Sequence, residues 1–234
     1  MTRTDYIRQE EKTYHDLCYD QYELFEAGSW LYKPVKTVMD MMDFFEGKVH
    51  LQVLDLGSGV GRNSIPIAQK IVNTGGTVTC VDLLDSAITK LQVYSKKHGV
   101  FEGIKAEQST IEDYYIAPNT YDYIVAVSCL EHVKSEEDFK KALHSMKNGT
   151  KSGGINCLIV NSSIQEIDLE ANQKLDALVE INLPTEEMVF SLKNIYFEWR
   201  ELKIEVKNLS YDIVRNGQHI KLITNAITFV VQKM

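Results

Sequence analysis

Short apolar runs alternate along this chain with stretches whose apolar residues recur at helical spacing. Leu51-Gln-Val-Leu-Asp-Leu56 is a compact run closed by Gly57-Ser-Gly-Val-Gly61, after which Ile65, Ile67, Ala68, Ile71 and Val72 fall mostly on one helical face. The spacing predicts a strand, a glycine turn and a helix from Asn63 to Val72. Asn73-Thr-Gly-Gly76 breaks that helix, Thr77-Val-Thr-Cys-Val81 is β-branched and ends at Asp82, and helical spacing returns from Ser86 to His98. A weak strand at Gly103-Ile-Lys-Ala-Glu107 and a strong one at Tyr121-Asp-Tyr-Ile-Val-Ala-Val127 follow. Ser135-Glu-Glu-Asp138 then opens a helix to Lys147, with Ser135 placed to cap free N–H groups and acids at the positive end of the dipole. Ile155-Asn-Cys-Leu-Ile-Val160 reads as a fifth buried strand. Strands alternating with helices predict a parallel sheet covered on both faces.

Both ends depart from this rhythm. Trp199 to Val214 and Gln218 to Gln232 are β-rich and flank Asn216-Gly217, a dipeptide that supplies the positive φ angles of a tight hairpin turn. An antiparallel hairpin therefore closes the sheet. Ahead of the first strand, Tyr14, Leu17, Cys18, Tyr22, Leu24 and Phe25, then Val35, Val38, Met39, Met42 and Phe45, suggest two helices packed over the sheet's edge. The expected organisation is a helical cap over residues 1–48 on a core spanning 49–234.

Composition narrows the function. At 234 residues, 44% hydrophobic and 25% charged, the chain suits one large globular domain. Its 33 acidic against 25 basic residues give a net charge of −8 with no basic run, which argues against nucleic acid as a partner. The first residues are too polar for a signal peptide, and no window approaches the roughly 18 apolar residues that would span a membrane. Cys18, Cys80, Cys129 and Cys157 lie far apart in a chain too large to need disulfides, so reduced thiols and a cytoplasmic location are expected. His15 with Cys18 and Cys129 with His132 follow no known zinc spacing, and no metal site is expected.

Open α/β sheets bind ligands beyond the carboxyl ends of their strands, which directs attention to the turn after the first strand. Gly57, Gly59 and Gly61 let the backbone turn sharply and admit a ligand without intervening Cβ atoms. Asp82 ends the second strand, where a carboxylate can accept both hydroxyls of a ribose. A nucleoside ligand is expected. A dinucleotide fingerprint would read Gly-x-Gly-x-x-Gly, with a helix N-terminus taking the pyrophosphate, and here the third glycine comes one place early.

Val53-Leu-Asp-Leu-Gly-Ser-Gly-Val-Gly-Arg-Asn63, Val81-Asp-Leu83, Tyr121-Asp-Tyr-Ile-Val125 and Ser128-Cys-Leu-Glu-His-Val133 together resemble the class I S-adenosylmethionine-dependent methyltransferases. The likeness covers roughly residues 45 to 165 plus the terminal hairpin. The leader and chain ending are distantly similar to the small-molecule branch that includes tellurite-resistance and thiol-type enzymes. The resemblance implies a doubly wound, Rossmann-like α/β sheet of seven strands, ordered 3-2-1-4-5-7-6 with the last strand antiparallel, under an N-terminal helical lid. It implies S-adenosyl-L-methionine as cofactor, S-adenosyl-L-homocysteine as product and a small-molecule acceptor; a monomer or homodimer is expected, with nothing in the sequence to choose between them. It sets Asp55 against the methionine amino group, Gly57, Ser58 and Gly59 along the methionine portion, Asp82 on the ribose and Leu83 in the adenine pocket. Thr110 stands where many relatives carry an adenine-contacting Asp, with the Ile111 backbone N–H as a substitute, and Gly61 and Ser128 complete the cofactor set.

A sulfonium methyl is already activated, so aligning nucleophile, carbon and sulfur while excluding water supplies most of the catalysis. The leader is the natural lid, and its Tyr14, Tyr19, Tyr22, Trp30 and Tyr32 offer aromatic faces to the cation. For any one of these residues the favoured reading is the plainer one, in which Tyr14, Leu17 and Phe25 form the core face of a helix. Glu131 and His132 directly follow the fourth strand and, with Tyr14, are the catalytic candidates. Either can take a proton from the acceptor, or the pair can instead start a helix and orient the loop. The competing functions are a non-catalytic cofactor-binding or partner subunit and an NAD-dependent oxidoreductase.

Overall fold

The computed structural model describes residues 1–215 and 217–234. Helix α1 (Arg3–Gln21) starts at a capping box in which Thr2 and Asp5 satisfy each other's backbone N–H. A 3-10 turn at Trp30–Tyr32 leads to α2 (Lys36–Asp40), which tightens into a second 3-10 segment ending at Phe45. The predicted alternation follows as β1 (Gln52–Leu56), α3 (Ser64–Ile71), β2 (Thr77–Asp82), α4 (Asp85–Lys97), β3 (Ile104–Gln108), β4 (Tyr121–Val127) and α5 (Glu136–Gly149). Ser135 caps α5 as its sequence suggests, accepting the Asp138 N–H at 3.1 Å. The chain ends with β5 (Thr150–Asp168), β6 (Gln173–Leu175), α6 (Thr185–Ile195), β7 (Arg200–Arg215) and β8 (Gln218–Gln232).

The sheet runs β3-β2-β1-β4-β5-β8-β7, parallel through β5, with β8 antiparallel to both its neighbours. Setting β6 aside, this is the 3-2-1-4-5-7-6 order that the family resemblance implies. The eighth strand arises because β5 continues well past the predicted Val160 and pairs Glu166–Asp168 with β6. Arg215 pairs with Gln218 at the tip of the terminal hairpin, and Gly217 has φ +79. Asn216, the other half of the predicted turn, lies outside the described residues.

Alternation along the strands divides the core. Leu54, Leu56, Ile124, Ala126 and Leu158 face α5 and α6, where Phe139, Leu143, Met188 and Leu192 are buried. Val53, Tyr123, Val125 and Cys157 face the other layer, with Ile65, Ala68, Leu91 and Phe45. Pairing between β4 and β5 stops at Ile159, but β5 stays paired with β8 as far as Asp168. A ribbon of β5, β8 and β7 therefore overhangs the carboxyl ends of the parallel strands.

Helix α1 crosses above those same ends and buries little apolar surface. Only Ile7, Cys18 and Tyr19 are buried on it, and Leu17, expected in a core face, is 56% exposed. Polar bridges attach it instead: Lys12 to Asp85 at 2.8 Å, Ser86 to Asp16 at 2.5 Å and Lys90 to the Tyr19 carbonyl at 2.8 Å.

Candidate active site

Three glycines at positive φ shape the turn after β1: +64° at Gly57, +53° at Gly59 and +97° at Gly61. A Cβ on Gly57 would stand 2.4 Å from Cys129 Cβ, so only glycine lets the loop after β4 approach this closely. β2 delivers Asp82 alongside. Its Oδ2 accepts the Gly59 N–H at 2.8 Å and its Oδ1 the Leu84 N–H at 2.9 Å, leaving acceptor capacity on both oxygens. Burial raises the Asp82 pKa, against the downward pull of those two bonds.

Gly57, Ser58, Gly59, Asp82, Leu83, Thr110, Ile111 and Ser128 all line one cavity of about 860 Å³. Ser58 Oγ is buried there without a hydrogen-bond partner. Ser128 adopts φ +51° and donates its N–H to the Ile159 carbonyl at 2.8 Å, which bends the chain away from the sheet. The Thr110 hydroxyl is occupied locally, donating to the Asp113 carboxylate at 2.8 Å and accepting the Asp113 N–H at 3.1 Å.

Two residues of the expected cofactor set stand behind the cavity wall. Asp55 shares the Val53 face of β1, so the pleat aims it at α3, where Ser64 Oγ donates to its Oδ2 at 2.5 Å. Burial pushes its pKa up to about 7, while the Ser64 bond and the Arg62 charge act in the opposite direction. Asp55, expected against the methionine amino group, thus braces the turn from beneath and is not among the residues that line the cavity. Gly61 is likewise absent from the lining. A Cβ there would meet Leu91 Cδ1 at 2.5 Å, so its role is close packing of the turn against α4.

A 3-10 turn at Leu130–His132 carries the residues after β4. Glu131 is 1% exposed, and its Oε1 accepts from Asn161 N at 3.3 Å and Asn161 Nδ2 at 2.5 Å. Its Oε2 has no partner, and burial raises its pKa. His132 Nδ1 lies 3.0 Å from Glu180 Oε2. Burial acts to lower the His132 pKa, but the Glu180 bond and the charges of Glu11 and Glu131 prevail and carry it to about 9. A pKa raised in this way favours the protonated imidazole near neutral pH. Tyr14 lines the cavity, and burial lifts its pKa, so it presents a neutral hydroxyl.

The leader brings Tyr14, His15, Tyr19 and Trp30 together, with ring centroids 5.5 to 6.2 Å apart, whereas Tyr22 and Tyr32 do not reach the cavity. Arg62 stacks on Trp30 at 5.1 Å and donates to its carbonyl at 2.9 Å. Sequence reasoning missed Arg8, whose guanidinium lies 2.7 Å from Glu112 and 3.5 Å from Glu180. It also missed the overhanging wall of Tyr211, Ile213 and Leu222, and the Arg215–Glu166 pair held by bonds of 2.6 and 3.1 Å. The one available signal was length, since the two terminal β-rich segments are far longer than the strands of the parallel sheet.

Residues 53–154 match the family model for the methyltransferase domain. That segment of the chain is a methyltransferase domain. Over 89 residues the chain is 34% identical to a ubiquinone biosynthesis O-methyltransferase of Rickettsia felis, covering 38% of its own length. It spans about a third of the length of the curated relatives it matches, 34% in that case. TehB from Haemophilus influenzae superposes with a TM-score of 0.63 at 20% identity, over 86% of this chain and 62% of that one. Phosphoethanolamine N-methyltransferase 2 of Haemonchus contortus, solved with phosphomonomethylethanolamine and S-adenosylhomocysteine, gives 0.64 at 15% identity, over 100% and 60%. These likenesses establish the fold. The residues of the glycine turn fit S-adenosylmethionine: Ser58 Oγ is an orphaned buried hydroxyl, Asp82 has acceptor capacity for a ribose, and a Cβ at Gly57 would collide with Cys129.

Among the described residues no helix is long and apolar enough to cross a membrane.

Proposed function

We propose that this protein transfers the methyl group of S-adenosylmethionine to a small molecule held between the glycine turn and the overhanging ribbon. The observation that carries this reading is a single cavity lined both by a nucleoside-type cradle and by Glu131, a buried carboxylate whose Oε2 has no partner. Asp82 takes the ribose hydroxyls while Gly59 and Leu84 fix its orientation. Leu83 and the backbone at Ile111 flank the base, and Ser58 with Gly57 and Gly59 meets the methionine portion. The cofactor supplies a positively charged sulfonium methyl that a nucleophile displaces. Tyr14, Tyr19 and Trp30 turn aromatic faces toward that charge. Glu131 takes the acceptor's proton, and cationic His132 holds Glu180 in place.

Residues 1–48 act as a lid over a core of 49–234, a division supported by the polar bridges that tie α1 to the rim. Closure excludes water, which favours a reaction that disperses charge. A small acceptor rather than nucleic acid is supported by the net charge of −8, and a cytoplasmic location by four buried free cysteines.

Calorimetry with S-adenosylhomocysteine and with NADH on the full chain tests the reading. Binding of the first alone is expected, together with S-adenosylhomocysteine release when the methyl donor is supplied with an acceptor. Binding of NADH alone overturns it.

A further inference from the structure

We propose that the methyl acceptor is an amine, its nitrogen received by Glu131 in a chamber whose cations are already committed, most of them to acids. This rests on the reading of the cavity as a methyl-transfer site and adds the substrate class.

Beyond the glycine turn the cavity is lined by Glu11, Glu112, Glu131, Glu166, Glu180 and Asp212. The positive groups facing them are committed. Arg8 spans Glu112 and Glu180, Arg215 makes two bonds to Glu166, and His132 bonds Glu180. The ring of His15 lies with its Nε2 3.4 Å from Glu11, its Nδ1 buried without a partner. Arg62 sits at the donor end, stacked on Trp30 and bonded to its carbonyl. A carboxylate, phosphate or phenolate acceptor would bring further negative charge into a half-enclosed space without finding a free cation, an arrangement that burial penalises heavily.

Glu131 sharpens the argument. Asn161 occupies Oε1 with two donors, yet Oε2 of this cavity-lining residue is buried and unpartnered, so it lacks a hydrogen-bond donor or a positive charge. An ammonium supplies both. Its place suits the chemistry, because Cys129, two residues earlier, packs directly on Gly57 of the turn. Tyr14 and His15 on the lid add rings facing the same space.

The step balances without another reactant. The ammonium gives one proton to Glu131, and the freed nitrogen lone pair forms a bond to the sulfonium methyl carbon. The carbon–sulfur bond breaks with its electron pair remaining on sulfur. A methylated ammonium and the thioether S-adenosylhomocysteine result.

The test uses the full chain saturated with S-adenosylhomocysteine and calorimetric titration of probes matched in skeleton: phenethylamine, 2-phenylethanol and 3-phenylpropionate, with histamine as a second amine. Amine binding at least about tenfold tighter than that of the alcohol or carboxylate is expected. Glu131→Gln should lower amine affinity by about tenfold while leaving affinity for S-adenosylhomocysteine within about twofold, which also reports an intact fold. Alcohol or carboxylate binding equal to or tighter than amine binding, including no binding by any probe, overturns the amine assignment. The preference on the unaltered protein decides this even if the variant does not fold. Failure of S-adenosylhomocysteine itself to bind overturns the underlying methyl-transfer reading instead.

Discussion

The Asp82 carboxylate holds the Gly59 N–H at 2.8 Å, tying the end of β2 to the turn after β1. One side chain thus sets the shape of the turn and offers acceptors to a ligand lying across it. Asp82→Ala removes both contributions. Affinity for S-adenosylhomocysteine should fall by about a hundredfold, in line with charge-assisted hydrogen bonds of about 1.5–3 kcal/mol each. The core clusters do not include Asp82, so circular dichroism should report a folded chain. Calorimetry giving unchanged affinity would remove the ribose assignment.

Arg8 fastens the lid. Its replacement by alanine leaves Glu112 and Glu180, whose side chains are 6% and 2% exposed, without the guanidinium that spans them. Unfolding free energy from urea titration should drop by about 2 kcal/mol, the scale for orphaning buried charged acceptors that keep other partners. Hydrogen exchange should quicken along α1 and leave β1 and β4 protected. Uniform exchange across the whole chain would contradict a separately opening lid.

Asp55 titrates in the folded chain at about 7 instead of 3.8. The folded state therefore holds this proton more tightly than the unfolded state does. The associated stability is complete below about pH 4 and is lost as pH rises to about 7. In Asp55→Asn that loss is absent, so the urea midpoint of the variant should gain on that of the natural chain across this window and run parallel above it. Parallel curves throughout would show that the buried carboxyl is not protonated.

His132 works in a higher window. Its pKa rises from 6.5 to about 9, so its contribution is complete below 6.5 and disappears as pH passes through about 9. His132→Gln should flatten the decline of melting temperature between those values. Methyl transfer by the natural chain should show no rise attributable to a histidine losing its proton near 6.5. A kinetic limb at that pH would restore His132 as a base.

Much of this architecture was legible in local pattern. Leu51 to Leu56, Thr77 to Val81 and Tyr121 to Val127 are buried on both faces, so their continuous apolar runs, bounded by glycine or Asp, announced them. The crevice followed from the rule that ligands sit past the carboxyl ends of such strands. What stayed hidden depended on direction or on distant partners. Asp55 occupies the family's acidic position, but the pleat of β1 turns it toward Ser64. The charge on His132 comes from Glu180, 48 residues away. Arg8 meets Glu112 across 104 positions, and nothing near either residue in sequence signals the pairing. The continuation of β5 past Val160 was obscured because Asn161, Ser163 and Gln165 interrupt the apolar run.

The overhanging ribbon separates two kinds of constraint. Its position is fixed by main-chain pairing from Ile159 through Asp168 against β8, whereas Tyr211, Ile213 and Leu222 line the cavity. Exchanging those three residues alters one wall and leaves the glycine hinge untouched. A scaffold built this way can be retargeted to new acceptors by editing a single appendage while its donor grip is inherited unchanged.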